Sequence, residues 1–292
     1  MIYTIENDWL KVQVSDLGAE LMSVCSKTDD CEYLWQGDAA YWTGRACVLF
    51  PICGRLVGNK YTHQGKTYEM GNHGFTRHSV FELFSQEADR ITLSLKANDT
   101  TLAQYPFEFE LRMTYALEDS TIRQSYTVIN HGEVPMPFTI GGHPGFNVPL
   151  VPGECFEDYV LEFGCVKSPK RVIMSESCHD SGVREDFPLE NGTTIRLCHD
   201  LFDNDGIFLQ DMCRKVTLKS CKSGKFVQVH YPQMKFVGFW HATRTDAPYV
   251  CIEPWLGLPA YDGQVDELST KHEMLTAAPG EVYENSFTIT VG

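Results

Sequence analysis

Alternation with a period of two runs through this chain, and that periodicity is the strongest constraint on what it can fold into. Phe107, Phe109, Leu111, Met113 and Tyr115 form one apolar row, opposed by Glu108, Glu110, Arg112 and Thr114. A half-buried strand requires this, because successive side chains point to opposite sides. Leu10, Val12 and Val14 repeat the pattern, as do Ile91, Leu93 and Leu95. Glu118-Asp119-Ser120 interrupts it and residues 121–129 resume it, which predicts a hairpin. Further strands are expected at 159–163, 193–197, 215–219, 225–230, 236–240, 249–252 and 286–291. Short helices are expected only at 38–42 and 102–105. Strands this dense, separated by Gly, Pro, Asn and Asp, predict an all-β chain: a large antiparallel β-sandwich spanning residues 1–292 as one domain.

The charge balance narrows the function. The net charge is −15 with no block of lysine or arginine. Nucleic-acid binding draws most of its affinity from phosphate neutralisation and needs a basic stripe, so that class is not expected. Residues 1–14 lack the basic flank and apolar run of a secretory signal. No apolar stretch reaches the ~18 residues that cross a bilayer. A cytoplasmic protein that engages no membrane is expected. The eleven cysteines include no C-x-x-C pair, which fits reduced thiols rather than a disulfide framework or a zinc finger. The sequons Asn98-Asp99-Thr100 and Asn191-Gly192-Thr193 read as chance matches in such a protein.

Chemistry is concentrated in a few stretches. Residues 136–140 read as a strand that meets Gly141 and Gly142, presents His143, and is stiffened by Pro144. Glycines permit close approach, and a proline holds the residue before it extended. Ile252-Glu253-Pro254-Trp255 presents a carboxylate in the same way. A glutamate ending so apolar a strand is costly to bury without a partner. His73 lies in the turn Gly71-Asn72-His73-Gly74-Phe75-Thr76-Arg77, as a structural turn residue or as part of a site. Arg55 follows Phe50-Pro51-Ile52-Cys53-Gly54, and Asp205 precedes a strand. Each is read either as a solvated surface group or as a ligand contact. There is no H-x-H, no H-E-x-x-H, no phosphate loop, no G-x-S-x-G elbow and no nucleotide fingerprint. No metal and no cofactor are expected, the one metal reading left being His73 and His143 brought together in space.

Assembled in order, these motifs resemble the aldose 1-epimerase (galactose mutarotase-like) family, in particular its bacterial LacX-like branch. The resemblance rests on Phe50-Pro51-x-x-Gly54-Arg55, Asn72-His73-Gly74-Phe75-x-Arg77, Gly142-His143-Pro144-Gly145-Phe146, Ile252-Glu253-Pro254-Trp255 and Leu275-x-x-Ala278-Pro279-Gly280-Glu281. It implies a sandwich with a sugar site on one concave sheet face and a small aldose as substrate. It also implies His143 as general acid, Glu253 as general base, and His73 near the sugar ring oxygen. Arg55 and Asp205 would contact sugar hydroxyls, and Arg77 would lie in the same site. Galactose-specific members carry Asn-Arg where this chain has Gly54-Arg55, which bears on the choice of sugar.

The reaction so implied needs two proton transfers. Glutamate ionises near 4.3 and histidine near 6.5 in reference peptides, so Glu253 is expected to be a carboxylate unaided and His143 to need a neighbouring negative charge. Phe75, Phe146, Trp240 and Trp255 are candidates for an apolar platform under the sugar, the alternative being plain core. Two other readings stand beside this one. A hexose-6-phosphate 1-epimerase would need a cationic clamp, for which Lys60, Arg77 and Arg244 are the candidates. A non-catalytic carbohydrate-binding protein could use the same fold.

Overall fold

The computed structural model describes residues 1–292. Strands hold 48% of the residues and helices 8%, so the all-β expectation is met. Two antiparallel sheets dominate. The larger has nine strands, in the order Thr194–Arg196, Tyr159–Phe163, Lys215–Ser220, Phe226–His230, Val282–Val291, Thr121–Asn130, Phe109–Glu118, Arg90–Lys96, Glu82–Gln86. The smaller has seven: Asp180–Asp186, Lys170–Met174, Ile207–Gln210, Phe236–Trp240, Tyr249–Trp255, Gly141–Asn147, Ala46–Leu49.

The sheets face each other across a core of 65 buried residues. Leu111, Tyr126, Val227 and Phe287 enter it from the nine-stranded side, and Val48, Phe146, Val237, Val250 and Ile252 from the seven-stranded side. Period two then forces the intervening residues of the seven-stranded sheet outward. Cys47, Leu49, Phe208, Phe236 and Trp255 form one small cluster on that outer face, and Trp35, Tyr249 and Cys251 another. The smaller sheet is thus apolar on both faces, and its outer face carries the chemistry.

The expected hairpin is present, with Phe109–Glu118 paired to Thr121–Asn130 around Asp119 at φ 49°. Residues 38–42 form a single hydrogen-bonded turn, not a helix, with Asp38 C=O accepting from Tyr41 and Trp42. The other short helix runs Asp99–Gln104, earlier than expected, because Asn98 caps it by accepting from the N–H groups of Thr100 and Thr101. The first sequon asparagine is therefore an N-cap. Asn98→Ala is expected to cost about 1 kcal/mol in a denaturant melt.

Two expectations need correction. Met136–Phe138 is a separate strand paired with Leu275–Ala277, and the next strand begins at Gly141. His143 and Pro144 therefore lie inside a strand rather than after one. Cys165 and Cys213 are joined as a disulfide with Cα atoms 5.9 Å apart, so the reading of all thiols as reduced does not hold. The pair flanks two neighbouring strands, where Phe163 is opposite Val216. A separation of 48 residues in sequence gave no hint of that contact.

Candidate active site

His143 and Glu253 meet because of register. Gly141 pairs with Trp255 and Gly145 with Cys251, which sets His143 directly opposite Glu253 on the outer face. Residues so placed are close enough for side-chain contact. His143 Nε2 is 3.3 Å from a Glu253 carboxylate oxygen. The pair is within ion-pair distance, yet neither Glu253 oxygen receives a well-aligned hydrogen bond. Its side chain is 1% exposed and that of His143 12%.

The glycines around His143 make room for rings. A Cβ on Gly141 would stand 2.8 Å from Trp255 Cδ1, and one on Gly145 would stand 3.2 Å from Trp42 Cζ3. On the core side a Cβ at Gly142 would meet Phe287 at 2.7 Å. The Trp42 indole then lies over the His143 ring, with centroids 4.9 Å apart and planes 35° apart. Trp240 meets His143 edge-on at 5.7 Å. Beyond Glu253 the facing residue is Gly238, whose missing side chain admits the Phe208 ring. Phe208 in turn packs on Trp255 at 4.8 Å. Trp255 Nε1 is buried without a hydrogen-bond partner in the chain.

His73 arrives from a turn. Gly54 N–H donates to His73 Nδ1 at 3.0 Å, and His73 N–H donates to the Gly54 carbonyl at 2.9 Å. With Nδ1 accepting, the ring proton of the neutral imidazole sits on Nε2. The His73 ring stands 5.7 Å from His143 and 5.4 Å from Trp255. Two distant motifs are locked together here, since Phe50 also bridges to Gly74. Gly54 has φ 77°, and a Cβ there would be 2.4 Å from Pro259 Cγ. Pro259 thus explains why a glycine precedes Arg55.

Burial and then His143 do most to depress the basicity of His73, with the Arg77 and Arg55 charges adding to it from nearby. Arg55 is exposed and Arg77 half-buried. The Arg55 carbonyl accepts from Ala260 N–H at 2.8 Å. Asp205, at φ 73°, adds negative charge near Glu253 and near the Cys178 thiol. Phe75 and Phe146 go elsewhere. Phe75 packs against Phe50, Tyr105 and Phe109, and both rings belong to the core between the sheets. Their turn-like sequence settings gave no sign of that burial.

The surroundings of Glu253 work against the expected carboxylate. Burial pushes the Glu253 carboxyl well above its ordinary range, with the Asp205 charge adding to the effect. Burial pulls the His143 imidazole down to about 4, aided by Arg77. His73 is depressed well below its usual value by burial and by His143. Desolvation penalises every charged form here. Burial thus favours the protonated carboxyl and the neutral imidazole in this pair.

Sequence reasoning passed over Trp42, Phe208, Cys178 and Cys251. Cys251 was within reach, since it shares Glu253's face two residues away. Trp42 was not, because nothing local links a turn residue to a histidine so far along the chain.

The fold and site together are a two-layer β-sandwich with a buried imidazole–carboxyl pair on the outer face of one sheet, packed against indole rings. The aldose 1-epimerase family profile matches residues 1–290. The chain belongs to the aldose 1-epimerase family. Protein LacX (chromosomal) of Lactococcus lactis subsp. lactis is 37% identical, covering 100% of this chain and 99% of that one. A galactose mutarotase related enzyme from Lactobacillus acidophilus superposes with a TM-score of 0.96 at 37% identity, over 100% and 97% of the two chains. A galactose mutarotase-like protein from Lactobacillus casei gives 0.94 at 31% identity, over the full length of both.

Proposed function

We propose that this protein interconverts the α and β anomers of a hexose by opening and reclosing the sugar ring. The observation that carries the reading is the placement of His143 opposite Glu253 at 3.3 Å. The ring oxygen and the anomeric hydroxyl share carbon C1, so acid and base must act on neighbouring atoms of one centre. A pair within hydrogen-bond reach of both suits that demand.

With one proton between them, the two groups exist as carboxyl plus imidazole or as carboxylate plus imidazolium. Hydrogen bonds from sugar hydroxyls would stabilise the charged arrangement, against the Arg77 charge that opposes the imidazolium. Glu253 then takes the proton of the C1 hydroxyl while His143 protonates the ring oxygen, and the C1–O5 bond breaks to leave the aldehyde. Rotation about C1–C2 and reversal of both transfers give the other anomer. His73 Nε2–H is a donor for the ring oxygen or an adjacent hydroxyl. Trp42, Trp240 and Trp255 offer apolar surface to a pyranose face.

Polarimetry on freshly dissolved α-D-glucose and α-D-galactose tests the reading, and faster approach to equilibrium with protein is the expected result. Glucose 6-phosphate serves as the second substrate. Of the clamp candidates, Lys60 is paired with Glu69 at 3.6 Å and Arg244 is exposed at φ 56°, so the unphosphorylated sugars are expected to react faster. Sugar binding without acceleration on any aldose would leave a carbohydrate-binding protein instead.

A further inference from the structure

The donor atoms of His143, Cys251 and Glu253 all lie within 4.8 Å of one another. Cys251 and Glu253 are two residues apart on one face of one strand, and His143 faces Glu253 from the next. The residue opposite Cys251 is Gly145, which has no side chain to insert between sulfur and imidazole.

We propose that this trio binds a thiophilic divalent cation, zinc being the type, which coordinates the acid and the base together and so inhibits the sugar reaction. The proposal rests on the acid–base reading of His143 and Glu253 for the inhibition, though not for the binding. Zinc takes nitrogen and oxygen ligands at about 2.0–2.2 Å and sulfur at about 2.3 Å, usually in a tetrahedron, so neighbouring donors stand roughly 3.3–3.6 Å apart. The 3.3 Å between His143 Nε2 and the Glu253 oxygen already has that spacing, and a small side-chain rotation brings the sulfur in.

An independent feature points the same way. The carboxylate of Glu253 is 1% exposed, and neither oxygen accepts a hydrogen bond. Buried polar atoms are rarely left so without a ligand or water to satisfy them. A set of one nitrogen, one sulfur and one oxygen favours zinc over magnesium or calcium. Coordination releases the thiol and carboxyl protons to solvent, while neutral His143 offers its lone pair directly. Of the other groups facing the site, Asp205 favours the cation and Arg77 opposes it. Cys47, opposite His143 in the register, is the other thiol nearby.

Titrating the full chain with zinc chloride in a calorimeter is expected to show one bound equivalent. Cobalt(II) in its place is expected to give tetrahedral visible bands and a thiolate charge-transfer band. Cys251→Ser and Cys251→Ala are expected to lose that charge-transfer band and to bind zinc at least about tenfold more weakly. Both are expected to lose the zinc inhibition seen in the parent, which a chelator reverses. Absence of stoichiometric binding in a chain that mutarotates normally overturns this proposal alone. Unchanged binding in both Cys251 variants, or a band that follows Cys47→Ser instead, also overturns it. A cobalt band that depends on Cys251 in a chain without mutarotation supports the metal site and sinks the epimerase reading.

Discussion

Glu253→Gln is expected to lower the mutarotation rate by roughly two to four orders of magnitude, the usual contribution of a placed acid–base group, while raising thermal stability at neutral pH. The amide keeps the shape of the carboxyl and cannot accept the proton of the C1 hydroxyl. His143→Asn is expected to lose a similar factor by removing the partner. The stability gain follows from burial. Glu253 titrates well above its ordinary range in the folded chain, so folding favours its protonated form. Its contribution is fully present below the unfolded value near 4.3 and is lost as pH rises toward the folded value. At neutral pH the parent therefore carries a cost that glutamine does not. A gain of about 1–2 kcal/mol is expected, or about 2–4 °C in the melting midpoint for each kcal/mol. Melts at pH 4.5 and 7.5 check the sign, since the advantage of glutamine should shrink at the lower pH. Equal midpoints at pH 7.5 would show that Glu253 is ionised in the fold at no cost, and near-parental turnover would remove it from the chemistry.

Gly74→Ala is expected to be among the most destabilising single-methyl changes in the chain. At φ 78° its Cβ would stand 2.0 Å from the Phe50 carbonyl oxygen and 2.6 Å from the carbonyl carbon. Those are backbone atoms, which cannot swing aside as a side chain can. The left-handed conformation costs a non-glycine residue roughly 1–2 kcal/mol, and overpacking adds typically 1–3 kcal/mol, so about 3 kcal/mol in all is a fair expectation. Because His73 is the preceding residue, surviving folded protein should also bind sugar more weakly. Gly280→Ala is the control. Gly280 has a similar φ of 76° but nothing within 4 Å of its Cβ, so it should show the backbone cost alone. Denaturant midpoints that fall equally in the two variants would refute the clash with Phe50.

The corrected details share a physical origin. In sequence, Pro144 and Pro254 read as what holds His143 and Glu253 on stiff extended chain. They lie inside two neighbouring strands of the seven-stranded sheet, and what presents the two groups is the register between those strands. Gly141 and Gly142 read in sequence as an opening for a ligand or another backbone. The room they leave is used by Trp255 and Phe287.

Sequence by itself determined the class of fold, because period-two alternation is a property of each strand and needs no partner to be visible. It also supplied His143, Glu253 and His73, each beside a glycine or proline with little purpose in a plain strand or turn. Only the tertiary structure decided that Phe75 and Phe146 face the core, that Trp42 covers His143, that Cys165 joins Cys213, and that burial raises the Glu253 carboxyl above its ordinary range. Those outcomes depend on pairing between strands distant in the chain and on the exclusion of water. Neither is a property of any short stretch of residues.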